Sequence, residues 1–253
     1  MRILLTVLLL SATLVTSPVY AQQREPVPAN KQAVQFAGGL SDPIEPFNRA
    51  IFQFNRAVDF LIIKPVSSLY GFVLPQFMQD AVSNFLTNLG TPIVMLNTAL
   101  QGDWTGFETT LHRMVVNSTL GMGGVVDVAS HHGLQPVRAD FGQTLGKWGV
   151  GHGFYLVLPI IGPSSLRDGS GRVVDGFVDP YNFLFWQAET EWPIWARAGL
   201  TIVDTRARFG DDYDQIMRAA VDPYVTFRSM YAQRRAYMVQ DSTVDPYAAA
   251  EQE

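Results

Sequence analysis

From Ile44 onward the apolar residues Phe47, Ile51, Phe54, Val58, Leu61 and Ile62 recur at helical spacing, and Asn48, Asn55 and Asp59 form a polar row along one flank. The pattern predicts an amphipathic helix over about 44–62, stopped by Pro65. Phe52 and Phe60 sit among its polar positions, so the helix is apolar on more than one side. Such a helix is buried on two sides in a soluble protein, or faces lipid on one side in a membrane protein. Glu45 and Arg49 stand four apart, in the favourable order for an ion pair.

A second helix is predicted from about Pro75 to Leu89, with Asn84 and Asn88 one turn apart. Thr91-Pro92 opens a third that ends near Gly102. Asp103 is placed to cap a fourth, which carries Phe107, Leu111, Met114 and Val115 inward and ends at Gly121. Gly121-Met122-Gly123-Gly124 then predicts an irregular segment, followed by Val125 to Val128. Trp148 to Leu166 contains no charged residue, yet Gly149, Gly151, Gly153 and Pro159 prevent a simple transmembrane helix. Within it, Phe154 to Ile161 reads either as buried core or as a re-entrant piece packed on protein. Ser164 or Ser165 caps a helix starting near Leu166. Phe177 to Trp195 is dense in aromatics, which suit either a membrane–water boundary or an aromatic core. The last helices are expected over about 193–208 and 211–239, the second kinked at Asp222-Pro223. The fold class is therefore all-α, and no region alternates in the manner of a membrane β-barrel.

Arg2, the apolar stretch from Ile3 to Leu10, Pro18 and the small-x-small end Val19-Tyr20-Ala21 read as a secretory signal cleaved after Ala21. The division expected is a signal at 1–21, a polar leader at 22–40, one helical domain at 41–240 and a tail at 241–253. About 230 residues remain after cleavage, enough for one domain with a sizeable core. The net charge of −5 becomes −6 when Arg2 leaves, and this mild acidity argues against nucleic acid as a partner. Charged residues make up 16% of the chain, against a usual share of about 25%, while aromatics reach 12%. That balance suits a large buried or lipid-facing surface. Cysteine is absent, so neither a disulfide nor an acylated cysteine is available in this sequence.

Catalytic motifs do not assemble. Asp140-Phe141-Gly142 matches the kinase metal-binding triplet without its glycine-rich and catalytic loops. His131-His132 lacks the spacing of a helical two-histidine metal site, and Gly149-x-Gly151-x-Gly153 lacks that of a dinucleotide fingerprint. No catalytic residue, metal ligand or cofactor is assigned. A serine hydrolase using Ser164 or Ser165 with a histidine is the alternative chemistry.

The polar residues form an ordered series: Asp42-Pro43-Ile44-Glu45-Pro46-Phe47-Asn48-Arg49, Asn84 to Leu89, Asn97 to Gly102, Asn117 to Gly124, Asp140-Phe141-Gly142-Gln143-Thr144-Leu145-Gly146, and Leu158 to Asp168 with Gly162-Pro163-Ser164. This series resembles the MlaA (VacJ) family of outer-membrane phospholipid-trafficking proteins, strongly over about 41–180. The resemblance implies a ring of amphipathic helices around a central amphipathic channel, seated in the periplasmic leaflet of a bacterial outer membrane. It implies passive removal of misplaced outer-leaflet phospholipid, handed to a soluble periplasmic carrier (MlaC-like), and association with a trimeric porin. A porin-organising scaffold that carries no lipid is a further alternative. Family members usually carry an acylated cysteine after the signal; here Gln22 and Gln23 stand there, so the chain is expected to be unlipidated.

A lipid path needs an apolar wall for the chains and polar groups for the head. Phe47, Asn48, Ile51, Phe54, Asn55 and Asp59 are its candidates, with Arg167 and Asp168 beside the apolar segment. Gly121, Gly123, Gly124 and Asp127 are candidates for a gating loop. Asp42, Pro43, Glu45, Arg49, Asn84, Asn88, Asp140, Gly142, Gln143, Gly162, Pro163 and Ser164 belong to the motif framework. The plainer role for the polar members is capping and bonding helix ends.

Overall fold

The structure, a computed structural model, describes residues 40–240. The expected signal, the tail, and the leader apart from Leu40 lie outside the described residues. Helix α1 (Glu45–Val58) passes through a π-helical turn (Asp59–Ile63) into α2 (Lys64–Val73). Then follow α3 (Gln76–Leu100), α4 (Trp104–Thr119), the short α5 (Val128–His131) and α6 (Phe141–Lys147). Strands β1 (Tyr155–Leu158) and β2 (Gly162–Ser165) come next, and α7 (Leu166–Val178), α8 (Pro180–Gln187), α9 (Trp192–Ala219) and α10 (Pro223–Gln240) complete the chain.

Several expected boundaries shift. Pro65 does not stop the first helix. Its ring removes the N–H that would bond residue 61, and the wider turn before it, closed by Lys64 N–H to Asp59 O, absorbs the misfit. The chain turns at Leu74-Pro75 instead, where Leu74 is extended. Nor does Pro92 open a new helix. Thr91 Oγ1 bonds the Thr87 carbonyl at 3.3 Å, and α3 runs on, braced by α4 and α9. The C-terminal helices divide at Asp222-Pro223 rather than near residue 210. Gly210 serves close approach there, since a Cβ would stand 2.1 Å from Arg206 Nη1. Two caps fall where expected: Asp103 accepts from Gly106 N–H and Ser165 from Asp168 N–H. Half of Phe154 to Ile161 is strand and the rest is turn. β1 and β2 form an antiparallel hairpin in register Tyr155↔Ser165 to Leu158↔Gly162, the one amendment to an all-helical fold.

Packing closes on itself in a ring-like circuit: α3 on α6, α6 on α7, α7 on α8, α8 on α9, and α9 back on α3. The hairpin lies between α1 and α10. One apolar cluster is buried there, Phe52, Tyr155, Val157 and Tyr224, with Ile51, Met217, Phe227 and Tyr231 packed on it. Elsewhere the usual inside and outside are exchanged. Among the described residues, buried polar and charged side chains outnumber buried apolar ones two to one, while Phe60, Leu61, Phe72, Phe77, Trp192 and Trp195 are largely exposed. The stripe on α1 follows suit, with Phe47 and Phe54 outside and Asn48 buried. Water-soluble domains rarely expose apolar surface on this scale. No single described helix is long and apolar enough to cross a membrane; only the pair 45–73 and 76–100, bent by 120°, reaches that standard together.

Candidate functional site

The polar row of α1 docks the hairpin. Asn48 and Asn55 are two helical turns apart and so share a face. Asn48 Nδ2 donates to the Tyr155 carbonyl at 2.9 Å while its Oδ1 accepts from Val157 N–H at 2.9 Å. Asn55 repeats the device, donating to the Leu158 carbonyl at 2.9 Å and accepting from Ile160 N–H at 2.7 Å. Each side-chain amide thus stands in for one residue of a neighbouring strand and satisfies the open edge of β1. Asp59, next in the row, pairs with Arg206 at 2.7 Å. These three expected lipid-path residues are committed to protein, and Asn48 has no exposed surface at all. Of the apolar candidates, Phe47 and Phe54 are exposed, while Ile51 is half-buried against the core cluster.

The motif residues ahead of Asn48 anchor its helix. Asp42 accepts from Asn48 at 2.8 Å, from Arg228 at 3.0 Å and from the Tyr224 hydroxyl. Pro43 precedes the helix. Glu45 and Arg49 form the expected pair at 2.7 Å, and Arg49 also reaches Asp222 at 2.8 Å across the Tyr224 ring.

A second constellation joins the later motifs around Arg235. Asp140 caps α6 by accepting from Gln143 N–H at 2.8 Å, and receives two bonds from Arg235 at 2.6 and 2.9 Å. Asp168 accepts from Arg235 Nε at 2.8 Å, from Arg167 Nε at 2.9 Å and from the Tyr231 hydroxyl. Burial pushes both carboxyls up, but the charge and hydrogen bonds of Arg235 outweigh it and hold both below the usual carboxylate range. Gly142 is required by closeness, because a Cβ would stand 2.7 Å from Asp168 Oδ1. Arg167, Asp168 and Gln143 are buried, so this expected lipid-path pair is an internal ionic joint between α6, α7 and α10. Gly162 opens β2 in the left-handed region, Pro163 pairs with Val157, and Ser164 is fully buried.

The glycine segment is tightly bonded. Gly124 N–H reaches the Asn117 carbonyl at 2.8 Å and Val126 N–H the Gly121 carbonyl at 3.0 Å; Gly123 and Gly124 both have positive φ. Asn84 and Asn88, motif residues of α3, donate to this loop: Asn84 to the Val125 carbonyl at 3.3 Å, Asn88 to Ser118 Oγ at 3.1 Å and the Gly123 carbonyl at 3.3 Å. A Cβ at Gly124 would stand 2.4 Å from Asn88. Asp127 caps α5 and accepts from Ser130 Oγ at 2.6 Å, Arg113 at 2.8 Å and Asn117 at 2.9 Å, which hold its carboxyl down against the opposing effect of burial. Between α3 and this loop lies a cavity of about 30 Å³, lined by Asn84, Thr87, Asn88, Thr91, Arg113, Asn117 and Asp127. The structure therefore unites the gating-loop residues with two framework asparagines.

Arg113, Arg206, Arg235 and Tyr231 are the partners that sequence reading misses. For the three arginines the sequence held a signal in composition alone, 15 arginines against 3 lysines, which names no position; for Tyr231 it held none. Ser164 and Ser165 are both fully buried, and Ser165 is committed to its cap. Among the described residues no group of three or more His, Cys, Asp or Glu is placed to hold a metal ion.

Comparison with known proteins agrees with this framework. The family model described as MlaA lipoprotein matches residues 40–238. The intermembrane phospholipid transport system lipoprotein MlaA of Escherichia coli is 38% identical, with 82% of each chain covered. Its Haemophilus influenzae counterpart is 31% identical over 84% of this chain and 85% of its own. A solved structure from work on the structural basis for maintenance of bacterial outer membrane lipid asymmetry superposes with a TM-score of 0.71 at 34% identity, covering 79% of this chain and 99% of that one. A match spanning nearly every described residue, on a helical ring-like fold, settles descent: the chain belongs to the MlaA family.

Proposed function

We propose that this protein is a passive phospholipid conduit of the bacterial outer membrane. In this reading it takes mislocalised phospholipid from the outer leaflet and passes it to a soluble periplasmic carrier, so maintaining lipid asymmetry. The observation that carries the reading is the exchange of inside and outside: apolar side chains face outward while paired polar groups fill the interior. Such a body is stable where its surroundings are hydrocarbon. The relatives named for intermembrane phospholipid transport supply the cargo. A trimeric porin and the carrier are the partners that the family resemblance suggests. The sequence offers no cysteine for acylation, so seating falls to the exposed face of the bent pair 45–73 and 76–100. The hydrolase alternative loses support because neither candidate serine reaches the surface.

Expression in a host lacking its own family member tests this. The wild-type chain is expected to clear phospholipid from the outer leaflet and to stay with membranes through alkaline carbonate extraction. Phe47→Asp with Phe54→Asp is expected to weaken both. Fatty acid released from labelled phospholipid by wild type but not by Ser164→Ala or Ser165→Ala would overturn the passive reading.

A further inference from the structure

The tip of the β1–β2 hairpin is apolar where a turn is ordinarily polar. Pro159, Ile160 and Ile161 form it, and all three are exposed. Turns at a water surface favour Gly, Asn and Asp, above all at positive φ. Ile160 has φ +67°, a region that a β-branched residue seldom enters. Ile161 N–H bonds the Pro159 carbonyl at 2.7 Å around it, which makes the tip a tight three-residue turn of the strained kind. The neighbouring Gly162 also has positive φ, but there the residue suits the backbone. At Ile160 the sequence keeps a branched apolar side chain on a backbone that disfavours it.

The hydrogen bonding of the tip is equally unlike that of a wet turn. Pro159 has no N–H. Ile160 N–H is held by Asn55 Oδ1 at 2.7 Å and Ile161 N–H by the Pro159 carbonyl, while the Leu158 carbonyl accepts from Asn55 at 2.9 Å. The N–H groups of Ile160 and Ile161 are thus spent within the protein, as hydrocarbon requires and water does not. Asn55 sets the tip against α1, beside exposed Phe54 and within two turns of exposed Phe60, Leu61 and Ile62. The apolar tip is therefore continuous with the first arm of the bent pair 45–73 and 76–100. Exposed Arg56 follows Asn55 directly and suits lipid phosphate, which places the tip near the headgroups and not deep in the bilayer. We propose that the hairpin tip is a shallow membrane wedge, with Pro159, Ile160 and Ile161 dipping into lipid hydrocarbon and Asn55 holding them at that depth. The proposal rests on the lipid-conduit reading and adds a second point of contact to its seat. It also reconciles the two readings of Phe154 to Ile161: Tyr155 and Val157 are core, and the turn beyond them is the re-entrant part.

The chain has no cysteine, so a single introduced one carries a fluorophore without competition. Ile161→Cys labels the tip, and Phe72→Cys on α2 labels the bent pair. Both full-length variants are reconstituted in vesicles of phosphatidylethanolamine and phosphatidylglycerol that carry a nitroxide high on the acyl chain. Fluorescence at both positions is expected to be quenched. Quenching at 72 alone would overturn the wedge, and quenching at neither would overturn the conduit reading with it. A tip probe that stays unquenched by lipid, but is shielded from aqueous iodide once purified porin is added, would assign the tip to a protein partner and likewise overturn the wedge. Ile160→Asn separates strain from seating. Asparagine tolerates positive φ, so this variant should melt about 2 °C higher than wild type in detergent. Combined with Ile161→Cys, it should lose most of the lipid quenching at the tip. A lower melting point would overturn the strain on which the wedge rests, and unchanged quenching would overturn Ile160 as the side chain that enters the bilayer.

Discussion

Asn48 is the polar residue on which the hairpin closes. Its side chain closes a two-bond ring with β1 and donates a further bond to Asp42, and its full burial keeps solvent from replacing any of them. Asn48→Leu keeps the branched shape but leaves the Tyr155 carbonyl and Val157 N–H unpaired and crowds a fully buried site, and is expected to cost about 3 kcal/mol. Asn55→Leu, nearer solvent, should cost about 1 kcal/mol. Chemical denaturation in detergent measures both, and equal costs would refute the ranking. The sequence displayed Asn48, Asn55 and Asp59 as a row, and that geometry was legible. Their partners were not. Helical spacing fixes which residues share a face, but not whether that face meets lipid, water or a strand 107 positions along the chain.

At the scale of elements, caps and glycines were readable because their physics is local. Asp103 and Ser165 bond N–H groups three residues ahead, and the positive φ at Gly123 and Gly124 follows from the missing side chain. The two prolines misled for the complementary reason. Pro65 and Pro92 disfavour helix by a few kcal/mol locally, but a π turn and bracing from neighbouring helices outweigh that, and neither is visible in a window of one helix. The contact of α6 with α7 gives a further test. At Gly171 a Cβ would stand 2.4 Å from Gly142 N, a backbone atom that cannot swing aside. Gly171→Ala should therefore force the helices apart and cost about 2 kcal/mol or more, read from the thermal midpoint. No change in the midpoint would mean that the interface is loose.

At the scale of the molecule, the ionic joint at Arg235 governs behaviour in acid. The Asp140 and Asp168 carboxyls are depressed when folded, so unfolding raises their affinity for protons. Their stabilisation is complete above the ordinary carboxylate value of about 4 and is lost as pH falls through the lower folded values. Arg235→Met removes the charge that offsets burial, so both carboxyls should titrate higher and acid unfolding should begin about one pH unit sooner. Near-UV circular dichroism against pH reads this, and superimposable acid limbs would contradict it. The hairpin latch has a temporal consequence as well. A chain made N-terminus first presents α1 long before β1 exists, and closing that long loop costs entropy before any of the four amide bonds forms. Until then Asn48 has nothing to hold. Docking of the hairpin is accordingly expected late in folding, and the order of synthesis leaves the first helix waiting, with Phe52 bare, for a partner still to be made.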